Sequence, residues 1–419
     1  MLQKHFLNLQ IGFFLAVRQV KNASIWTTSL IIFVMVLTFL NLVVVSGILV
    51  GLIEGSIEQW HQEFTSDVII SSLDDKKYIE NSQNLIALIK SFPEVEALSP
   101  RYSEGAVLEA NYKTRKETDK PNTAGTQIYG INPVHEDAVT NLSASIREGE
   151  YLVPGDYDKV LIGLFLLSQY VPVDDPNFAA LKNVTVGDKI RITVGDVVRE
   201  VTVKGIIESK VDSLTRNVFM VDSQFRSMIG RNDGNVDQVA ILLKKGADPV
   251  AVREKLKQSG AGDYAKIQTY VDAQPKFLKD IINTFNMLGT AFSSIGLVVA
   301  SITIFIVVFI NAITRRKYIG IMKGVGIEGS VIRLSYVFQS IFYALVGSAI
   351  GLLIVYGLLI PFVDKHPIDF PFSDGILVAP LGQTSFRVGL LVLSTIIAGY
   401  IPAWMIIRKN TLDSILGRN

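Results

Sequence analysis

NASIWTTSLIIFVMVLTFLNLVVVSGILVGLI, residues 22–53, carries no charge between Lys21 and Glu54. Three more charge-free apolar runs lie in the C-terminal third, from Asp280 to Arg315, Arg333 to Asp364 and Arg387 to Arg408. Each reaches the roughly 20 residues that cross about 30 Å of hydrocarbon. The spacing predicts an α-helical membrane protein with four transmembrane helices. A large α+β extracytoplasmic domain is inserted between helices 1 and 2. The first run is longer than a signal-peptide apolar region and is expected to be a retained anchor.

Composition agrees. The chain has 419 residues, 49% of them hydrophobic and 19% charged, below the about 25% charge of ordinary soluble domains. A net charge of +1 gives no reason to expect nucleic acid. Cysteine is absent, so the outer domain must be held by its own core.

Lys and Arg in short loops set topology. Lys4, Arg18 and Lys21 precede the first run, and Arg315, Arg316, Lys317, Lys323 and Arg333 separate the second from the third. Arg408, Lys409 and Arg418 follow the fourth. The third connection has Lys365 but also Asp364, Asp369 and Asp374. Four crossings put all basic segments on one side. The termini are therefore expected in the cytoplasm, with the large domain outside the cell (inner) membrane. No ionisable residue lies within any run, which argues against an ion-coupled relay. Asn41, Asn311 and Gln339 are expected to make interhelical hydrogen bonds.

Within the outer domain, Asp67–Leu73, Glu104–Tyr112, Thr126–Ile131, Val236–Leu243 and Lys266–Val271 read as strands. Asn81–Ser91 is predicted helical, with Leu85, Leu88 and Ile89 on one face. Lys189–Val194 and Val197–Ile207 flank Gly195-Asp196 as a hairpin. Asp248 caps and Pro249 opens a helix to Ser259. Both ends of the insertion contain strand–helix–strand, and 145–235 is strand-rich. Two lobes are expected.

No P-loop, H-E-x-x-H or G-x-S-x-G occurs. His5, His61, His135 and His366 lack ligand spacing. Asp74-Asp75 and Asp174-Asp175 read as solvated turns. No catalytic, cofactor-binding or metal site is expected on this chain. Gly347 and Gly351 form G-x-x-x-G, which serves helix packing either inside one subunit or between two.

The most specific local stretch is TRRKYIGIMKGVGIEG, Thr314–Gly329. Basic edges flank short apolar bulk, and glycines allow the return turn. Taken alone it either fixes topology or offers a docking surface. With the helix that follows, to Leu353, it resembles the ABC-transporter permeases of the MacB, LolC/LolE and FtsX superfamily. Their pattern is roughly R-R-x-E-I-G-I-L-x-A-L-G-A. Tyr318 stands where that family usually has Glu, and Gly324 where Ala is common. Tyr129–Asn132, Ile146–Gly149, Leu161–Gly163, Val186–Lys189 and Val203–Ile206 are similar, in order, to the outer domain of lipoprotein-releasing permeases. Tyr400–Ala403 with Leu412–Leu416 resembles the family ending.

The resemblance implies a non-catalytic permease subunit. Its partners would be a cytoplasmic ABC ATPase, which binds ATP and Mg, a second permease subunit (homo- or heterodimer), membrane lipids and a lipoprotein or periplasmic partner. Arg315, Arg316, Lys317, Ile319, Ile321, Met322, Lys323, Val325 and Gly326 would form the ATPase-coupling segment, with Ile321, Met322 and Val325 inserting into the ATPase. The implied organisation is a cytoplasmic segment at 1–24, helix 1 with stalk at 25–55 and a MacB-like core domain at 56–275. A stalk and helix 2 follow at 276–313, coupling segment 314–330, helix 3 at 331–361, an outer loop at 362–385, helix 4 at 386–407 and a cytoplasmic tail at 408–419. Surplus helix length at Gly51–Phe64 and Asp272–Phe285 would form two stalks. The family does its work by mechanotransmission in lipoprotein or lipid extraction, or in export of an amphiphile, peptide or drug. FtsX-like members instead regulate a cell-wall hydrolase. A plain four-helix receptor is the reading from outside that family.

Overall fold

A computed structural model describes residues 2–116, 120–171, 179–366, 368–370, 373–375 and 377–408. Asp174-Asp175 and the tail motif Leu412–Leu416 lie outside the described residues. Along the chain, α1 (Leu2–Lys21) precedes α2 (Ile25–Leu40), a π-helical turn (Asn41–Val45) and α3 (Ser46–Trp60). Then come β1 (Val68–Ser71), α4 (Ser82–Lys90), β2 (Val95–Ala110), β3 (Asn122–Ile131), α5 (Pro133–Thr140), β4 (Ile146–Gly149), β5 (Lys159–Gly163), β6 (Lys189–Val194) and β7 (Val197–Ile207). They are followed by α6 (Asp212–Thr215), β8 (Val218–Val221), α7 (Asp222–Met228), β9 (Gln238–Leu243), α8 (Pro249–Gln258) and β10 (Lys266–Thr269). The chain continues through α9 (Lys276–Thr314), α10 (Arg316–Gly324), α11 (Gly329–Ile354), α12 (Ile360–Lys365), the short β11 (Ile368–Phe370) and β12 (Ser373–Gly375), and α13 (Leu381–Ile407).

Two compact units result. One comprises Met1–Ile53, Asp280–Asp369 and Asp374–Asn419; the other comprises Glu54–Lys279 and Phe370–Ser373. Among the described residues four helices are long and apolar enough to cross a membrane: Ile25–Thr65, Leu278–Thr314, Gly329–Lys365 and Leu381–Ile407.

These helices run past the charges that bound the apolar runs. Helix 1 continues through a second π turn, His61–Thr65, until Ser66 adopts φ 53°. Helix 4 starts at Leu381, not 386, because Pro380 supplies its N-cap and accepts the Thr384 N–H at 2.9 Å. Arg387 therefore lies inside a spanning helix. Residues 51–64 are helical, whereas 272–275 precede α9.

In the membrane unit α9 buries a narrow ridge, Ala300, Ile304, Val308 and Ala312, at four-residue spacing. The ridge joins Ile31, Met35 and Phe39 of α2, Tyr336 and Tyr343 of α11, and Leu391 of α13. Small residues set the approach. A Cβ on Gly347 would meet Met35 Cβ at 2.5 Å, and one on Gly351 would meet the Phe39 ring at 2.2 Å. The G-x-x-x-G face is thus occupied by α2 of the same chain. The segment 1–24, read as a plain cytoplasmic stretch, is largely α1. Phe13 of α1 meets Phe338 of α11 edge-on at 5.7 Å, and Asn8 donates to Glu328 at 3.1 Å. Gln339 donates to Gln19 of α1. Phe6, Leu7, Phe14 and Val17 stay exposed, the pattern of a helix lying at an interface.

The outer unit is one mixed sheet in the order β10-β1-β9-β2-β3-β8-β5-β7-β4, with β6 joining β2 and β7. β3–β8 and β5–β7 pair in parallel and the rest antiparallel. The first five strands come from the two ends of the insertion, and the others from its middle. The two expected lobes, however, share one core: Ile70, Leu85 and Ile241 cluster with Val160, Ile190 and Val203. The reason is the length of β2. Its first half pairs with β9, its second half with β3, and Val107–Glu109 also pair with β6. The β6–β7 hairpin turns at Gly195, where φ is +54°. Asp248 accepts the Val250 N–H at 2.9 Å and caps α8.

Candidate functional site

The stretch from Thr314 to Gly329 is built as a short helix between two abrupt bends. Arg315, at φ −99° and ψ 12°, separates α9 from α10. Its N–H still donates to Asn311 and its carbonyl accepts from Ile319 at 3.0 Å, so the bend leaves both of its own backbone groups paired. At the far end Gly326 donates to the Lys323 carbonyl and Ile327 to the Met322 carbonyl, both at 3.0 Å. That pairing, with Gly326 at φ +96°, is a Schellman stop, whose left-handed position favours glycine.

The two faces of α10 differ. Ile319 is only 2% exposed and belongs to the membrane-unit core, and Met322 packs against that core. Tyr318, Ile321 and Val325 are 68%, 46% and 80% exposed. Their spacing puts them on one side. Of the three residues expected to insert into a partner, Ile321 and Val325 are presented and Met322 is half-buried. Tyr318, noted only as a departure from the family pattern, completes the exposed ridge.

The basic residues divide as well. Lys317 is exposed, and Arg315 and Arg316 are half-buried. Lys323 turns inward and its Nζ donates to the Ile407 carbonyl at 2.5 Å, at the C-terminal end of α13. A cation there is favoured by the helix dipole. Gly329 sits against Ile407 too. Arg315, with Arg18, Asn22 and Tyr336, lines a cavity of about 460 Å³. The segment is therefore seated on α9 and α13 and outward-facing on the opposite side.

A second cluster lies in the outer unit. Arg101, with no exposed surface, forks onto Glu136 at 2.9 and 2.6 Å and donates to the Phe64 carbonyl at 2.8 Å. Ser99 and Thr140 complete the carboxylate's partners at 2.7 and 3.1 Å. The guanidinium also stands 4.8 Å from the Phe64 ring centre. This pair secures the C-terminal end of helix 1 to β2 and α5. Close by, His61 pairs with Asp67 at 2.9 Å and stacks on Tyr270 at 4.1 Å. Sequence reading missed Arg101 and Glu136, because nothing local marks two residues 35 positions apart. Among the described residues no His, Cys, Asp or Glu cluster could hold a metal ion.

The family model for the MacB-like periplasmic core domain matches residues 28–259, more than half of the chain. That for the FtsX-like permease C-terminal matches residues 290–411. An uncharacterized ABC transporter permease of Methanocaldococcus jannaschii is 24% identical over 241 residues, covering 54% of this chain and 58% of that protein. The macrolide export ATP-binding/permease protein MacB of Agrobacterium fabrum is 24% identical over 214 residues, covering 49% of this chain and 31% of that protein. The periplasmic region of MacB from Actinobacillus actinomycetemcomitans aligns with 51% of this chain and 94% of its own at 14% identity and TM-score 0.35. With four apolar helices, a mixed outer sheet and both family models matched in order, the chain belongs to the MacB- and FtsX-like family of ABC transporter permeases.

Proposed function

We propose that this chain is the membrane subunit of a dimeric ABC transporter whose ATP and Mg are bound by a separate cytoplasmic ATPase. The observation that carries this reading is the exposed ridge Tyr318–Ile321–Val325 on a short helix with a buried underside. Three exposed apolar side chains on one side of a capped helix suit a hydrophobic groove in a partner. Arg315, Arg316 and Lys317 edge that contact. α10 joins α9 through one residue and is tied to α13 through Lys323, so a push on the ridge moves spanning helices rather than a loose loop. α9 is 39 residues long, about 58 Å at 1.5 Å per residue, more than a bilayer core needs. ATP-driven closure would travel along it as motion of the extracytoplasmic domain. The load is an amphiphile such as a lipoprotein or lipid. The basic loops support a cytoplasmic location for both termini.

The test is co-purification of the full chain with its ATPase from native membranes. Ile321→Asp and Val325→Asp should abolish co-purification and cut permease-stimulated ATP hydrolysis roughly tenfold or more, the cost of a charge in a desolvated contact. Tyr112→Phe in the outer unit serves as a control. Unchanged co-purification in both charge variants would overturn the assignment of the ridge, and an intact chain that never captures an ATPase would overturn the function.

A further inference from the structure

Arg387 is a charge in the wrong place for an ordinary spanning helix. It sits six residues into α13, about 9 Å along the axis. Its Nη1 is shielded by protein and meets no hydrogen-bond partner. Among the described residues it has no ion pair either. An ionisable group inside a span ordinarily faces a partner or a functional cavity.

Such a cavity is present, entirely within the membrane unit. A groove of about 600 Å³ runs between α3, α9 and α13 with Arg387 in its wall. Its other polar lining is uncharged: Asn286, Thr290, Ser294, Gln383 and the hydroxyl pair Ser46–Ser293, 3.2 Å apart. A second groove of about 460 Å³ follows the α9–α13 seam and is almost wholly apolar, walled by Ile302, Phe305, Leu393 and Ile397. Leu297 and Leu390 line both grooves, so the two adjoin. From Arg387 to Ile401 the seam covers about 21 Å of helix axis, more than half of a roughly 30 Å hydrocarbon core.

We propose that this composite groove binds one anionic membrane lipid, its phosphodiester held at Arg387 and an acyl chain laid along the α9–α13 seam. The polarity order matches the ligand from head to tail. An unpaired guanidinium presents a fork suited to a phosphate, and among the described residues no carboxylate lines the groove to repel one. A neighbouring apolar helix would fill the seam and leave the guanidinium uncompensated. A zwitterionic lipid brings its own cation, for which the groove has no counter-charge.

The inference does not rest on ATPase coupling, and its test needs neither nucleotide nor partner. The full chain in mild detergent is titrated by native mass spectrometry with phosphatidylglycerol and phosphatidylcholine of identical acyl chains. Phosphatidylglycerol should bind roughly tenfold tighter or more, as expected for a charge-assisted hydrogen bond. Glycerol phosphate, a head without a tail, should not displace it. Arg387→Gln should remove the preference, and Arg387→Lys should keep part of it. Leu393→Trp, which fills the seam, should weaken binding of both lipids. A photoreactive acyl tail should label α9 or α13. Equal binding of the two lipids, an unchanged preference in Arg387→Gln, displacement by glycerol phosphate, or labelling confined to other helices would overturn the proposal. If Arg387→Gln fails to fold, Leu393→Trp and the labelled tail still decide it.

Discussion

The outer unit and the membrane unit solve the problem of buried polarity in opposite ways. The outer unit buries full charges and pairs them across long stretches of chain: Arg101 with Glu136, and Lys204 with Asp156 at 2.6 Å. The membrane unit buries hydroxyls, and several of them are satisfied one turn back on their own helices. Ser335 donates to Ile332 at 2.8 Å, Ser340 to Tyr336 at 3.0 Å and Thr395 to Val392 at 2.8 Å. A water-facing domain can desolvate a charge once its partner arrives on folding. A helix already in hydrocarbon has no water to release a charge from, so its polar groups find local partners. The outer sheet is therefore fixed by directional long-range contacts. The membrane helices are held by close approach of small residues. Arg387 is a full charge inside a spanning helix, and it borders a groove.

The largest test of this contrast is Glu136→Ala. It would strand the Arg101 guanidinium without exposure and remove the acceptor shared by Ser99 and Thr140. Breaking a buried pair from one side costs about 3–5 kcal/mol. Hydrogen exchange on the full chain should show β2 and β3 losing that much protection. Ser340→Ala, which removes a self-contained hydroxyl, should change protection in α11 by less than about 1 kcal/mol. Equal effects would mean that the two units do not differ in the way they hold polarity.

The sequence made the local part of this legible. Hydrocarbon demands long apolar runs, so all four spans could be read. Gly195-Asp196 and Asp248-Pro249 impose backbone geometry directly, and the β6–β7 hairpin and the start of α8 fall where those residues place them. Helix ends were misjudged where charge was taken as the boundary, as at Arg387, because backbone capping by Pro380 decides instead. The shared core of the outer unit was hidden because β2 reads as a shorter strand, from Glu104. Pro100 and Arg101 are poor strand signals, yet both lie in it. In the coupling segment, pattern identified the stretch but not its facing. Ile319, Ile321 and Met322 are chemically alike, and only the packed neighbours assign one to the core and another to solvent.

A smaller effect is expected at Asp156. Burial works against its carboxylate, but Lys159 and Lys204, at 2.7 and 2.6 Å, and the Val153 N–H at 2.9 Å hold its pKa at about 2, below the ordinary 3.8. A depressed folded-state pKa contributes stability that is complete above the unfolded value and is lost as pH falls through the folded one. The window is therefore from about pH 4 down to about 2, and the contribution is about 2 kcal/mol. Measured against acid, the outer unit of Asp156→Asn should start less stable at neutral pH and lose less across that window. An acid limb identical to that of the parent chain would rule Asp156 out as a pH-dependent contributor.

The smallest effect tests the other half of the contrast, close approach in the membrane unit. Gly351 and Gly389 are both helical glycines, so replacing either by alanine removes the same backbone entropy penalty of about 1 kcal/mol. They differ in what the new methyl meets. At Gly351 it would lie 2.2 Å from the Phe39 ring, which the core holds on all sides, whereas at Gly389 nothing stands within 4 Å. Overpacking of this kind costs about 1–3 kcal/mol. Gly351→Ala should therefore lower the melting temperature of the full chain in detergent by a few degrees, a net loss of about 1 kcal/mol. Gly389→Ala should leave it unchanged or raise it slightly. If Gly351→Ala melts like Gly389→Ala, then α2 and α11 can separate without loss. The small-residue seam would then be a sliding surface rather than a fixed joint between the first and third spans.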